Sequence, residues 1–188
     1  MEYQPLGVVG VISPWNYPVF TSMGSIAYAL AAGNAVVFKP SELTPVGAWL
    51  VSSFAEVVPE EPVLRVVTGM GQTGDFLARS GVNKIAFTGS ATTARKVMAA
   101  CAEILTPIVA ECGGKDAFIV AADADLDAAA DAWAWGGLSN AGQTCVGVER
   151  VYVVQEIYHQ FLEKLTDRVS RVRPGDDRKA DYGPMSAP

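Results

Sequence analysis

Histidine occurs once in the 188 residues, at His159, and cysteine three times, at Cys101, Cys112 and Cys145. One imidazole cannot build a histidine-rich metal centre and gives a cysteine–histidine dyad little to draw on. Three thiols cannot all pair internally, and no C-x-x-C spacing occurs, so no metal site is expected. Reduced thiols in a cytoplasmic setting are the simplest expectation. Basic charge is also scarce: 14 Lys and Arg stand against 20 Asp and Glu, a formal net charge of -6. That balance argues against a nucleic-acid backbone or an anionic membrane as partner. No apolar run approaches the roughly 20 residues that span a bilayer, and the Met1 end lacks the basic and apolar regions of a signal peptide. There is no internal repeat and no low-complexity tract. With 50% hydrophobic and 18% charged residues, the composition excludes a disordered chain.

Short apolar runs, each followed by a helical pattern, fill most of what is present. Residues 7–12 (Gly-Val-Val-Gly-Val-Ile) are apolar on both faces, as a buried strand is, and they run into the proline-bounded loop Pro14-Trp15-Asn16-Tyr17-Pro18. The pattern predicts a helix over residues 21–32, stopped by Gly33-Asn34, then a strand over 35–38 and a helix over 45–57. Strands are expected at 63–67, 84–87 and 107–110, with helices to about Arg79 and over 91–103 between them. This alternation predicts an α/β fold with a parallel sheet covered on both faces. After Gly114 the pattern predicts a strand at 116–120, a helix capped by Asp123 or Asp125 and reaching about Trp135, a strand to Val154, and an amphipathic helix over 157–172.

Candidate chemistry sits where strands end. Open parallel sheets bind ligands at the carboxyl edge, and four loops leave that edge: around Asn16, around Lys39, at 69–74 and at 88–90. Gly69-Met-Gly71-Gln-Thr-Gly74 has the spacing of a pyrophosphate-binding turn, although three glycines also serve an ordinary tight turn. Ser90 at a helix start can cap its own helix or face a ligand. Lys39 and Glu42 can hold ribose hydroxyls or form a solvated ion pair. Asn16 has an amide suited to an oxyanion or to its own turn. Trp15 serves equally as core or as ligand wall. Glu111, between an apolar strand and Cys-Gly-Gly, is a candidate general base if partly buried. Cys145 ends the small-residue loop Asn140-Ala141-Gly142-Gln143-Thr144-Cys145, where a thiolate can reach a carbonyl carbon. Cys101 and Cys112 read as packing thiols, and His159 as a surface residue.

Five stretches, taken in order, carry a resemblance: Pro14-Trp15-Asn16-Tyr17-Pro18, Lys39-Pro40-Ser41-Glu42, Phe87-Thr88-Gly89-Ser90, Glu111-Cys112-Gly113-Gly114-Lys115 and Gly142-Gln143-Thr144-Cys145. Along nearly its whole length the chain resembles the NAD(P)-dependent aldehyde dehydrogenase superfamily. The resemblance implies a Rossmann-like cofactor domain over residues 1–111, its first residues ending a bridging strand, and the start of a second α/β catalytic domain over 112–188. It implies Cys145 as nucleophile, Asn16 with the Cys145 backbone N–H as oxyanion hole, and Glu111 as the base that activates water. It implies Lys39 and Glu42 at the adenosine ribose, Ser90 and Gly71 at the pyrophosphate, Ile12, Pro14 and Trp15 along the cofactor cleft, and Gly113 near the nicotinamide. Glu42 favours NAD, with NADP possible, because a carboxylate there repels a 2′-phosphate. The implied substrate is a small-molecule aldehyde, with an apolar entrance suggested by Trp133, Val146 and Val148, and the implied parent is a homo-oligomer, dimer or tetramer.

Two departures stand out. Cys112 occupies a position where the family usually has leucine. Family members are also much longer, so the chain is expected to be a central fragment, truncated at both ends. The region that would follow it carries a Glu-x-Phe-Gly-Pro-like motif for the nicotinamide ribose. Two alternatives to aldehyde oxidation follow: a fragment that binds nucleotide without turnover, or a thiol-dependent esterase or acyltransferase. A purely structural role is a further one.

Overall fold

Val9 and Val11 pack on one side of the first strand while Val8 and Ile12 pack on the other, which is why that run carries no polar alternation. The computed structural model describes residues 4–57 and 63–186, and the chain divides into two compact units, residues 1–112 and 113–188. The bridging strand expected at the very start of the chain involves residues 1–3, which lie outside the described residues.

In the first unit the order is β1 (Val8–Ile12), α1 (Phe20–Ala31), β2 (Ala35–Lys39), α2 (Val46–Ala55), β3 (Leu64–Val66), α3 (Gly71–Arg79), β4 (Lys84–Gly89), α4 (Ala91–Glu103) and β5 (Ile108–Cys112). The strands form one parallel sheet in the order β3-β2-β1-β4-β5. The chain therefore winds outward from β1 through β2 to β3, then returns to lay β4 on the other side of β1. The loops after β1 and β4 diverge there, opening a crevice at the carboxyl edge. Ile26 and Ala29 of α1 and Val51 of α2 pack with Val9, Val11, Val36, Phe38 and Leu64 on one face. Leu77 and Ala78 of α3, with Ala94, Val97 and Cys101 of α4, pack with Ile12, Ile85 and Phe87 on the other. The expected α/β architecture is thus the one that forms.

Phe38 is fully buried, so its truncation to alanine costs on the order of 3–5 kcal/mol. Gly10 lets this packing close: a Cβ there would stand 2.6 Å from Cδ1 of Ile85. Buried Asn34 serves as more than a helix stop. Its Oδ1 accepts from the backbone of Leu6 at 2.6 Å and Gly7 at 3.0 Å, and its Nδ2 donates to the Ala29 carbonyl at 3.0 Å, which fixes where β1 begins.

The edge strand corrects two expectations. Glu111 and Cys112 of β5 are both exposed, where partial burial of the glutamate and a packing role for the thiol were expected. The reason is position: β5 has one paired neighbour, β4, and only Ile108 is packed against the α3–α4 core. Cys101 does pack, at 1% exposure, and burial pushes its thiol pKa up.

The second unit contains β6 (Asp116–Val120), α5 (Leu126–Leu138), β7 (Val148–Val153) and α6 (Tyr158–Ser170). β6 and β7 pair in parallel. Asp125, one of the two candidates, caps α5: its Oδ1 accepts from the backbone N–H groups of Asp127 and Ala128 at 3.0 and 3.1 Å. Val120, Ala130 and Phe161 form the core, with Phe118, Val151, Val153 and Leu165 packed against it. His159 is exposed, as expected. No described helix is long and apolar enough to cross a membrane.

Candidate active site

The crevice at the carboxyl edge of the five-stranded sheet is a cavity of about 580 Å³. Its floor and walls come from the ends of β1, β2 and β4 and from the first turns of α3 and α4. Of the residues expected at a cofactor, Ile12, Pro14, Trp15, Lys39, Glu42, Gly71 and Ser90 line this space. Gly113 does not; it opens the second unit.

The ion pair at the cavity differs from a solvated one. Lys39, the last residue of β2, is 4% exposed, and its Nζ bonds Glu42 Oε2 at 3.0 Å. Turning the chain at Pro40-Ser41 brings the carboxylate back over the strand end, and Ser41 Oγ accepts from the Leu43 N–H at 3.2 Å to hold that turn. A hydrogen bond from its own backbone, then the Lys39 ammonium, lowers the Glu42 pKa below its ordinary value, and partial burial opposes this.

Ser90 plays the capping role and also faces the cavity. Its Oγ accepts from the Thr93 N–H at 3.2 Å and lies 3.0 Å from the Thr93 hydroxyl. The start of α4, the positive end of its dipole, therefore borders the same space, a setting suited to an anion. Gly71 stands at the first position of α3, and a Cβ added there would meet nothing within 4 Å. A ligand can thus approach that backbone. The glycine-rich stretch is not a free loop: Gly71 and Gly74 are both within the helix.

Gln72, Asp75, Thr93, Lys96 and Val97 also line the cavity and were not singled out from the sequence. Their spacing carries the signal. From Ser90, positions 93, 96 and 97 follow at i+3, i+6 and i+7, one helix face pointing back over the strand ends. Gly71 and Asp75 stand four apart in the same way.

Asn16 is half-buried in the bend after β1 and makes polar interactions there. In the second unit, Cys145 is exposed. The loop leading to it winds left-handed through Asn140, Ala141 and Gly142, at φ 53°, 58° and 75°. The Cys145 carbonyl accepts from the Gly114 N–H at 3.3 Å, and Arg150 Nε donates to the Lys115 carbonyl at 2.8 Å. Residues 114–115 are thus bound at both ends to the segment that carries the thiol. Of the expected apolar entrance, Val146 is 67% exposed, while Trp133 and Val148 are half-buried.

Comparison with known proteins gives this arrangement a family. The model of the aldehyde dehydrogenase family matches residues 1–188. The chain is 44% identical over 188 residues to the 4,4'-diapolycopene aldehyde oxidase of a Methylomonas species, covering 100% of this chain and 36% of that protein. It is 35% identical over 184 residues to the D-glyceraldehyde dehydrogenase (NADP(+)) of Picrophilus torridus, covering 96% of this chain and 37% of that one. The fold superimposes on the crystal structure of PnpE from Pseudomonas sp. WBC-3, solved also in complex with nicotinamide adenine dinucleotide, at a TM-score of 0.93 and 39% identity, covering 98% of this chain and 39% of that one. The chain therefore spans a little over a third of the length of these relatives.

Proposed function

Because the chain belongs to the aldehyde dehydrogenase family, we propose that the whole protein oxidises an aldehyde to a carboxylic acid with NAD or NADP. The observation that carries the reading is the cavity that gathers Lys39, Glu42, Gly71 and Ser90 at the carboxyl edge of the sheet. These residues fit a dinucleotide: a carboxylate and an ammonium for ribose hydroxyls, an open glycine backbone, and a helix start for the pyrophosphate. When bound, the nicotinamide accepts the hydride released from the substrate carbon.

The family resemblance assigns the protein's own groups their roles. The Cys145 thiolate adds to the aldehyde carbon, giving a thiohemiacetal. The Asn16 side-chain amide and the Cys145 N–H donate to the oxygen as it gains charge. Loss of the hydride leaves a thioester on Cys145. Glu111 takes a proton from water as the water attacks that thioester, releasing the acid and restoring the thiol. The exposure of Glu111 and Cys145 in their own units supports these roles, since each is open to substrate and water. In this reading residues 1–111 serve the cofactor and residues 112–188 begin the catalytic domain.

The test is turnover by the whole protein. With aldehyde and NAD or NADP it is expected to yield reduced nucleotide, and Cys145→Ala is expected to abolish this while leaving nucleotide binding intact. Full activity in that variant would remove Cys145 from the mechanism. The two relatives, one named for 4,4'-diapolycopene aldehyde and one for D-glyceraldehyde, give the substrates to try first.

A second reading concerns the 188 residues alone: nucleotide binding without turnover. It is supported by the cavity's lining, which comes entirely from the first unit. Calorimetry with NAD beside a turnover assay separates the two readings.

A further inference from the structure

Four charged side chains line the cavity: Lys39, Glu42, Asp75 and Lys96. Three of them are compensated. Lys39 and Glu42 pair with each other, and Asp75 is held by Arg79 at 3.0 Å, one turn along α3. Arg79 in turn reaches Glu103 of α4, so the acidic charge at that end of the cavity is tied up on its outer side. Lys96 stands apart. It is exposed on the cavity face of α4, and among the described residues it joins none of the ion pairs.

The electrostatic consequence depends on what enters. A paired charge spends most of its field on its partner, whereas an unpaired one in a cleft with apolar walls acts on the ligand. Lys39 is already engaged by Glu42, and with 5% of the lysine side chain exposed against 40% of the glutamate's, the Glu42 carboxylate is the member of the pair that a phosphate at the neighbouring ribose position meets and that opposes it. The remaining cation that faces the cavity is Lys96, an ammonium on a flexible four-carbon stem. NAD and NADP share their pyrophosphate, so any attraction of Lys96 for that group is common to both. The 2′-phosphate of NADP adds about two further negative charges, and only this addition alters the ratio of the two affinities.

We propose that Lys96 is a specificity-determining residue for the dinucleotide: its uncompensated charge offsets the repulsion from Glu42 and admits a 2′-phosphorylated cofactor beside NAD. The inference rests on the cofactor reading above and extends it to a residue on α4, outside the Lys39–Glu42 turn. With it, binding of both nucleotides does not require Glu42 to move.

The experiment is direct binding of each nucleotide to the whole protein, followed by calorimetry or by the fluorescence of its tryptophans. Lys96→Met keeps the length of the stem and removes the charge, and at an exposed helix position it leaves the fold intact. The expected result is a loss of NADP affinity of about three- to fivefold, with NAD affinity changed by less than about twofold. The NADP-to-NAD affinity ratio of the variant, left with the Glu42 repulsion alone, is expected to rise with added salt, and that of the unmodified protein to respond less. Lys96→Arg, which keeps the charge, is expected to retain the original ratio. Binding of both nucleotides to the Met variant with an unchanged ratio overturns the inference and leaves the cofactor reading standing. Failure of the unmodified protein to bind either nucleotide overturns the cofactor reading and the inference together.

Discussion

Asn140 and Gln143 bond each other's backbone: Asn140 Nδ2 donates to the Gln143 carbonyl at 3.2 Å, and Gln143 Nε2 donates to the Asn140 carbonyl at 2.8 Å. The Gln143 N–H reaches the same Asn140 carbonyl at 3.1 Å. This reciprocal clasp spans the left-handed residues Ala141 and Gly142 and ends two positions before Cys145. The side chains on either side thus hold a backbone that local preference would not adopt.

Gln143→Ala removes one arm of the clasp. Its expected cost is about 1 kcal/mol, measured by urea unfolding. The rate at which iodoacetamide alkylates Cys145 is expected to change as well, because the loop that aims the thiol loosens. Unaltered unfolding and alkylation would show the clasp to be incidental.

Ala141 sits at φ 58°, where a Cβ costs roughly 1–2 kcal/mol. Ala141→Gly is therefore expected to stabilise the protein by a net of about 0.5–1 kcal/mol, after the added freedom of the unfolded chain is subtracted. Thermal unfolding checks the sign. A fall in Tm would mean that the methyl makes contacts outweighing its strain.

Glu42 links stability to pH. Its folded pKa lies below its ordinary value of 4.5, so the folded state binds the proton less readily than the unfolded chain does. The stabilisation is then present above the unfolded value and is lost as pH falls through the folded one. With 40% of its side chain exposed, solvent screening makes the effect small. The stability difference between the protein and Glu42→Gln is expected to be constant near neutrality and to shrink in acid. A difference that grew on acidification would contradict the Lys39–Glu42 assignment.

Two glycines of one short stretch should respond oppositely. Gly71 has open space where a side chain would start, towards the cavity. Gly71→Ala is thus expected to leave unfolding nearly unchanged and to weaken nucleotide binding. Gly69 has φ +150°, and a side chain there would collide with Thr73. Gly69→Ala is expected to destabilise by about 1–3 kcal/mol. Paired denaturation and binding curves for both variants separate a binding position from a structural one.

Most of the fold was legible in local pattern. Strand–helix alternation marks a parallel sheet because a strand apolar on both faces requires cover on both, and the β1 run from Val8 to Ile12 satisfies that with no polar break. Glycine, proline and Asp125 mark ends because their backbone or side-chain chemistry acts within a few residues. The cavity-lining residues at strand ends were legible for the same reason: a turn after a strand is a local event, so Lys39, Glu42 and Ser90 stand out in the sequence alone.

Tertiary structure decided what depends on neighbours distant in the chain. Sequence could not choose between a solvated and a buried Lys39, because its burial comes from placing β2 inside the sheet, next to both β1 and β3. It suggested burial for Glu111 and Cys112 because β5 is apolar, yet strand order puts β5 at an edge and leaves both exposed. Lys96 appears among ordinary helix charges in sequence; only the packing of α3 and α4 on one sheet face turns it towards the cavity that Lys39 and Glu42 also line. Local backbone preferences are written residue by residue, whereas burial and charge compensation are properties of the assembled neighbourhood.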